Sequence, residues 1–534
     1  MQIRDEWIQY EQIIKRCRSL NKAKWLDLRG NHDSFNVLNF ESENNFYRFH
    51  SGKNVQTADD HHGTYLYQHE LPFGTYSFIV MDACSKPGLH RPFNFFGYLD
   101  DAQIQYIKTL AALTKSSNQT IWLGHYPTSL IVHDPPALRQ IMSNSIAYLC
   151  GHLHTMMGYV PKMYSRHKTG QLELELGDWK ENRVYRLLAM DHDLLSFTDA
   201  KLGDWPLAVI TNPKSNMLYS PRVEPLHLIE SSTHIRILAF SPTGIKGVTV
   251  SIDDRPREEA LQAGAGQPLY VLGWQPEKYS HGIHTIRVQV LDEAGKNVTI
   301  SQTFSVDGTE KQFEFLPRLI LMLNIYTMAK LTFGILVFLY TFILTSIRQS
   351  TCIRHYYLKG NDIQNMAFNS ALMKIWLAAR SNVSYFILIG SVLYLTFGPW
   401  FVANLITNEL GVVFVWGIII HGSFIPGGLT FFYGIFQFIT FTVPLTVLLG
   451  HLLDMRRMNG SRSSVFKHPT VLLPSLVLFA FTAHLALTEF PNAYGVEALI
   501  YGPLRTGNVI LLPAALWLAS RADLRKILAV NEPA

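Results

Sequence analysis

The stretch Cys150-Gly-His-Leu-His-Thr155 decides how the first part of this chain folds. It completes a series that starts with Leu28-Arg-Gly-Asn-His-Asp33 and continues with Leu123-Gly-His-Tyr-Pro127. Each motif follows a short apolar segment. Glycine after a strand permits a tight turn at the carboxyl end of that strand, where ligands bind in open α/β sheets. The series therefore predicts polar side chains gathered at one edge of a sheet.

The segments around these motifs alternate between strand-like and helix-like patterns up to about residue 205. This alternation is typical of an α/β domain, which we assign to residues 1–205. The predicted strands are Lys24–Leu28, Ser77–Met81, Thr120–Leu123 and Ile146–Cys150, and a helix is predicted near Asp101–Thr114.

A period-two pattern with turn residues between short strands follows over residues 215–310. This pattern is typical of an Ig-like β-sandwich. Its clearest strands are His234–Phe240, Gly247–Ile252, His284–Leu291 and Val298–Val306.

The composition indicates that part of the chain avoids water. Only 16% of the residues are charged and 48% are hydrophobic, whereas a soluble protein carries about 25% charged residues. The formal net charge of +5 gives no case for nucleic acid as a partner. The four cysteines are too few and too scattered for a disulfide framework or a cysteine-based zinc site.

The water-avoiding part is a membrane block over residues 319–522. Between Ile320 and Ser520 only 16 of 201 residues are charged. Runs without charge are long enough to cross a bilayer as helices. The run Leu410–Leu453 has 44 residues; it fits either two helices or one helix preceded by a re-entrant piece at His421–Gly428. The other runs are Leu331–Ile347, Ser381–Asn408, His468–Thr488 and Thr506–Ser520.

The positive charges of the short loops favour five crossings over six. Five crossings place every basic loop on one side, which is the cytosolic side by the positive-inside rule. The C-terminus is then cytosolic, and the α/β and Ig-like domains are lumenal or extracellular. The sequons at Asn118 and Asn297 become available for glycosylation, whereas those at Asn382 and Asn459 stay on the cytosolic side.

The histidines of the three motifs are candidates for metal binding. Neutral imidazoles suit Zn, Mn or Fe, and two such ions about 3.5–4 Å apart form the usual clamp for phosphoryl chemistry. A single histidine at a strand end is more often a hydrogen-bonded structural residue. Three motifs in this order, each behind an apolar strand, favour the metal site.

The motifs resemble those of the calcineurin-like metallophosphoesterases, whose signature ends with Gly-Asn-His-Asp/Glu, Gly-His and Gly-His-x-His. The whole chain, including Arg91–Gly97, Gly177–Arg183 and the C-terminal helices, is similar to the transmembrane protein 62 family. The resemblance implies a phosphoesterase fold and a membrane-anchored enzyme that hydrolyses phosphoesters with divalent metal ions, Mn, Fe or Zn.

The resemblance also implies roles for individual residues. Asn31, His125 and His152 match the ligands of the second metal ion, and His154 matches a ligand of the first. The resemblance gives catalytic roles to the two residues that follow Asn31. His32 would protonate the leaving oxygen or bind the transferring phosphoryl group, and Asp33 would orient its ring. The expected partners are membrane lipid and an unidentified phosphoester substrate.

The sequence departs from the family signature in one respect. The earlier blocks, Asp-x-His and Gly-Asp, do not precede Gly30, so the domain looks as if it lacks its first strands. Asp59-Asp-His61 fits the letters of the first block, but we interpret it as solvated surface. We therefore expect at most about one metal ion where a complete family member has two, and impaired activity. The alternative function is a non-catalytic membrane protein that uses its two lumenal domains as a binding or assembly platform.

Overall fold

The computed structural model contains three consecutive parts: an α/β body, an antiparallel β-domain and a block of apolar helices. It describes residues 3–21, 23–52, 63–133, 135–350, 366–459 and 465–528. The predicted surface segment at 59–61 lies outside these ranges.

The α/β body is built on a six-stranded sheet, with two further strand pairs outside it. In chain order, the strands of the whole body are β1 (Tyr65–Leu71), β2 (Gly74–Met81), β3 (Gly97–Tyr98), β4 (Gln119–Gly124), β5 (Ile131–Val132), β6 (Ala147–Cys150), β7 (Tyr164–Arg166), β8 (Leu172–Glu175), β9 (Val184–Asp191) and β10 (Leu194–Lys201). The sheet order is β1-β2-β4-β6-β8-β7. Strands β2, β4, β6 and β8 are parallel, and an antiparallel strand closes each edge.

Helices and a hairpin cover the two faces of this sheet. The helices are α1 (Arg4–Leu20), α2 (Phe46–His50), α3 (Asp101–Leu113) and α4 (Pro135–Ile141). Helix α3 packs Ile107 against Trp122 on one face, and the β9–β10 hairpin packs Leu195 against Ile121 on the other. A capping box between Asp100 and Gln103 fixes the start of α3. Alternate residues of each strand are thus buried on opposite faces.

The segment Lys24–Leu28, which we predict as a strand, has no strand assignment, and that prediction is wrong. The carbonyl oxygen of Asp27 accepts hydrogen bonds from the hydroxyls of Tyr47 and Tyr65, at 2.9 and 2.8 Å. Side chains thus occupy an acceptor that a neighbouring strand would otherwise use. The other three predicted strands are confirmed as β2, β4 and β6, and their predicted ends agree with the observed ones to within three residues.

The second part is a seven-stranded antiparallel domain. Its strands are β11 (Leu207–Asn212), β12 (His234–Phe240), β13 (Ile245–Ile252), β14 (Glu258–Gln262), β15 (Leu269–Gly273), β16 (His284–Asp292) and β17 (Asn297–Phe304), and α5 (His227–Glu230) precedes β12. Strand β14 pairs with both β13 and β15 and joins two halves whose inward residues, such as Ile237 and Val288, are fully buried. The domain starts at Leu207 because β11 pairs with β12. The predicted start at 215 therefore moves towards the N-terminus.

The third part consists mainly of apolar helices, both long and short. They are α6 (Phe315–Met322), α7 (Ile325–Gln349), α8 (Met366–Arg380), α9 (Asn382–Phe397), α10 (Leu429–Gln437), α11 (Val443–Asn459), α12 (Pro469–His484), α13 (Phe490–Tyr494), α14 (Val496–Ile500), α15 (Arg505–Ser520) and α16 (Leu524–Leu528). Four continuous segments of the described residues are long and apolar enough to span a membrane: 325–349, 429–458, 469–494 and 496–520. The helices 370–380 and 382–397, which meet at 88°, make a fifth only if the bent pair is one span. The chain is thus a multi-pass membrane protein, and the predicted count of five holds on that condition.

The first part of the uncharged run 410–453, where we predict either a helix or a re-entrant piece, consists of strands. Strands β18 (Phe401–Ile406), β19 (Glu409–Phe414), β20 (Gly417–Ile420) and β21 (Ser423–Pro426) form an antiparallel meander before the helix that starts at Leu429. His421 and Gly422, both with positive φ, form its last turn. Apolar residues on both faces of the meander hide the period-two pattern that would have identified it.

Candidate metal centre

The three histidine motifs meet at the carboxyl ends of the parallel strands. His125 follows β4 directly, and His152 comes two residues after β6. Gly30 brings the first motif against them, because a Cβ atom at this position would lie 3.0 Å from the His125 ring. The absence of a side chain at Gly30 is therefore what allows Asn31 to approach the histidines.

The Nε2 atom of His125 lies close to one atom of each of two other predicted metal ligands. The Nε2 atom of His125 lies 3.0 Å from Oδ1 of Asn31 and 2.9 Å from Nδ1 of His152. In an octahedral shell with bonds of about 2.1 Å, neighbouring ligand atoms are about 3.0 Å apart. The His125–Asn31 pair and the His125–His152 pair therefore each have the spacing of neighbouring ligands of a divalent ion.

The environment of the two imidazoles favours their neutral, metal-binding form. Burial, and then the neighbouring His152, hold the pKa of His125 well below its ordinary value. Burial, and then His154, lower the pKa of His152 to about 4. Both rings are neutral at pH 7, so each has a nitrogen lone pair available for a metal ion.

His154 lies on the wall of the same cavity but is exposed, with φ at +55°. Its backbone N–H donates to the buried carboxylate of Glu175 at 2.9 Å, and the N–H of Leu153 donates to the same oxygen. Burial raises the pKa of Glu175 to about 7. This glutamate holds the histidine loop on β8. Sequence reasoning missed it, although the strict alternation of leucine and glutamate in Leu172–Glu175 is the signal that could have identified a strand with acidic residues on one face.

The ring of His32 has a different partner from the one we expected. Both of its nitrogens lie 2.8 Å from an Nη2 atom of Arg91. Burial, then Arg91 and Lys180, lower the pKa of His32 to about 4. Asp33 instead accepts a hydrogen bond from the N–H of Gly30 at 2.9 Å. The carboxylate thus shapes the turn, and Arg91 holds the ring.

These side chains surround a cavity of about 300 Å³. Arg91 and Phe95 belong to its wall although the motifs did not single them out as site residues. The lining residues are Asn31, His32, Arg91, Pro92, Asn94, Phe95, His125, His152 and His154.

The site lacks the carboxylates of a two-ion centre within the described residues. No group of three or more His, Cys, Asp or Glu there is placed to hold a metal ion. Asp82, just after β2, is engaged by Arg29 in a buried ion pair of 2.7 Å. The set of Asn31, His125 and His152 supplies no negative charge to bind a divalent ion tightly.

Comparisons with known proteins agree with this organisation. Residues 203–310 match the family model described as the TMEM62 Ig-like domain, and residues 319–469 match the TMEM62 C-terminal domain. An alignment over 378 positions is 25% identical to an Arabidopsis thaliana protein named as a putative metallophosphoesterase, and it covers 57% of this chain and 50% of that protein.

The similarity to a mouse protein extends further. Over 521 residues the chain is 38% identical to Transmembrane protein 62 of Mus musculus, an alignment that covers 96% of this chain and 78% of the mouse protein. No solved structure matches the chain. From the extent of this similarity, the chain belongs to the transmembrane protein 62 family.

Proposed function

We propose that this chain is a membrane-anchored, metal-dependent phosphoester hydrolase whose α/β body has a calcineurin-like phosphoesterase fold. The observation that carries the proposal is that His125 Nε2 lies within 3.0 Å of both Asn31 Oδ1 and His152 Nδ1. The strand-end position of the second and third motifs and the similarity to the plant protein support it.

In the proposed reaction a water oxygen forms a new bond to phosphorus and the bond from phosphorus to the alcohol oxygen breaks. The proton lost by the water is balanced by one gained by the departing alcohol. A bound divalent ion would polarise the phosphoryl oxygens and the attacking water. His32 and Arg91 line the same cavity. We assign Arg91 to phosphoryl binding, since a guanidinium suits phosphate geometry, and His32 to phosphoryl binding or protonation of the leaving oxygen.

The roles of two histidines can be separated by experiment. His152→Ala removes a donor and should reduce Mn²⁺ binding, whereas His32→Ala should leave it unchanged. Loss of a general acid costs about 10²–10⁴ in rate, so His32→Ala should lower kcat on an alkyl phosphate by that factor. An aryl phosphate, whose leaving group needs less protonation, should restore part of the rate to His32→Ala but not to His152→Ala.

His281→Ala, at an exposed histidine of the Ig-like domain, is the matched control. The assignment is contradicted if His32→Ala loses as much metal as His152→Ala. Metal binding with no turnover of either ester would instead favour the binding-platform function, which the absence of carboxylates among the described ligands also supports.

We also propose that residues 1 to about 318 face the lumen or the exterior. Protease added to sealed microsomes should then spare an N-terminal epitope and remove a C-terminal one. Asn297 is exposed, whereas the Asn118 amide bonds to Thr75 and Asp193. Glycosylation should therefore favour Asn297. Digestion of the N-terminal body in intact vesicles would contradict this orientation.

A further inference from the structure

One wall of the candidate metal centre rests on the membrane-spanning block. The turn Phe93–Phe95 follows Arg91 and carries Phe95, whose ring lies 4.9 Å from that of His152. Within this turn, Phe93 stacks on Phe401 and Tyr494 with ring centroids 6.3 and 5.5 Å apart. The cavity is therefore one side chain away from the helices that span the membrane.

The histidine loop has similar neighbours. Leu153, between the two histidines of the third motif, packs against the apolar cluster that contains Leu321 of α6. It also packs against a second cluster around Phe96, which Ile325 at the start of α7 and Leu429 at the start of α10 contact as well. Because α7 and α10 begin the first and second long spans, these contacts place the metal centre at the level where the spans leave the bilayer.

A patch of exposed apolar side chains continues from the histidine loop. Met156, Met157 and Tyr159, which we name the apolar rim, are 40%, 98% and 84% exposed. Met156 and Met157 have φ of +46° and +56°, a conformation that costs non-glycine residues energy. The fold thus holds these side chains outward, where water alone would not stabilise them.

Helix α6 adds to this surface from the membrane side. Phe315, Leu316 and Leu319 are 74%, 48% and 39% exposed. The helix ends at Met322, three residues before α7 starts, and it contacts the segment that follows the rim through Leu321, Val160 and Met163. Continuity with a spanning helix identifies the bilayer, rather than another protein, as the surface that covers this patch.

We propose that the substrate is a membrane phospholipid, and that the apolar rim and α6 dip into the bilayer so that the headgroup reaches the cavity. This inference rests on the proposed hydrolase function and names its substrate class. A cavity of about 300 Å³ accommodates a phosphate with a small headgroup but not acyl chains. Arg91 lies in this cavity to pair with the phosphate, and the acyl chains stay among the exposed side chains of α6 and the rim.

The hydrolysis balances as before. The water oxygen bonds to the headgroup phosphorus, one ester bond to an alcohol oxygen breaks, and that oxygen takes up a proton. Both products leave from the interface, so the lipid need not be extracted from the bilayer.

The first test measures membrane depth and needs no enzyme activity. Three single variants of the full chain, Met157→Cys, Tyr159→Cys and Leu261→Cys, each receive a nitroxide label at the introduced cysteine. Each labelled protein is placed in phosphatidylcholine nanodiscs. Leu261 is an exposed apolar residue of the Ig-like domain, 69% exposed, and serves as the control. Labels at 157 and 159 should collide with dissolved oxygen several-fold more than with a water-soluble nickel chelate, and the label at 261 should show the reverse. Labels at 157 and 159 that behave like the one at 261 would overturn the proposal.

The second test compares substrates. The double variant Met157→Asp, Tyr159→Asp should hydrolyse phospholipid in vesicles at least about tenfold more slowly than the unmodified chain. The reason is that two charges in the apolar rim oppose its insertion into the bilayer. Its turnover of a soluble aryl phosphate should equal that of the unmodified chain, and Leu261→Asp should change neither.

The outcomes separate the two proposals. Turnover of the aryl phosphate without turnover of any vesicle phospholipid, or equal loss on both substrates, overturns the lipid substrate and leaves the hydrolase standing. Absence of all turnover from the metal-bound chain overturns the hydrolase and, with it, the substrate assignment. In that case the label measurement still decides whether the rim enters the bilayer.

Discussion

The α/β body meets its two neighbours through junctions with different central contacts. The junction with the Ig-like domain, which we name the polar junction, contains Lys214 and Glu224, an ion pair in which both side chains are fully buried. Glu224 also accepts from the backbone N–H groups of Leu195 and Ser220, each at 2.9 Å. The junction with the membrane block, which we name the aromatic junction, combines stacked rings around Phe93 with hydrogen bonds from the Arg139 guanidinium to backbone carbonyl oxygens of α6.

The difference has an energetic consequence. Removing one partner of a buried, hydrogen-bonded charge pair leaves the other charge without compensation. Truncating a partly buried aromatic ring removes only apolar contact, and the hydrogen bonds of Arg139 remain. We infer that the polar junction tolerates substitution less well than the aromatic junction.

The largest loss of stability is expected at the polar junction. Glu224→Ala leaves the buried Lys214 ammonium without its carboxylate, and breaking a buried pair in this way costs about 3–5 kcal/mol. We expect a lower midpoint of thermal unfolding in detergent, or loss of folded protein. A midpoint within 1 °C of that of the unmodified chain would show that the junction does not depend on this pair.

A smaller effect is expected at the aromatic junction. Phe93 is only partly buried, so Phe93→Ala should cost about 2 kcal/mol, the value for burying such a side chain incompletely. Phe73→Ala, at a residue 70% exposed, is the control and should change the unfolding midpoint little. A loss at Phe93 as large as that at Glu224 would remove the contrast between the two junctions.

The smallest effect is expected for an ion pair on the surface. Arg287 and Asp254 form a pair in the Ig-like domain with side chains 51% and 76% exposed. Water screens such pairs, and they contribute about 0–1 kcal/mol. Arg287→Ala should therefore leave the unfolding midpoint almost unchanged. A large loss would mean that burial does not explain the effect expected at Glu224.

The same physics explains what could be predicted from the sequence. The motifs around His125 and His152 were identifiable because glycine turns after apolar strands are local features, and parallel strands bring their ends together. Arg91 could not be assigned in this way, because its contact with His32 spans 59 positions of the chain. The meander Phe401–Pro426 was missed because an apolar strand and an apolar helix have the same hydropathy.

The central claim is that Asn31, His125 and His152 together hold a divalent ion, and pulsed electron paramagnetic resonance on the Mn²⁺-bound chain tests it most directly. Electron spin-echo envelope modulation should show nitrogen coupling from two imidazoles. The number of coupled imidazoles should fall to one in His125→Ala or His152→Ala and stay at two in His32→Ala and His281→Ala. A spectrum without nitrogen modulation, or one that neither His125→Ala nor His152→Ala changes, would contradict the claim.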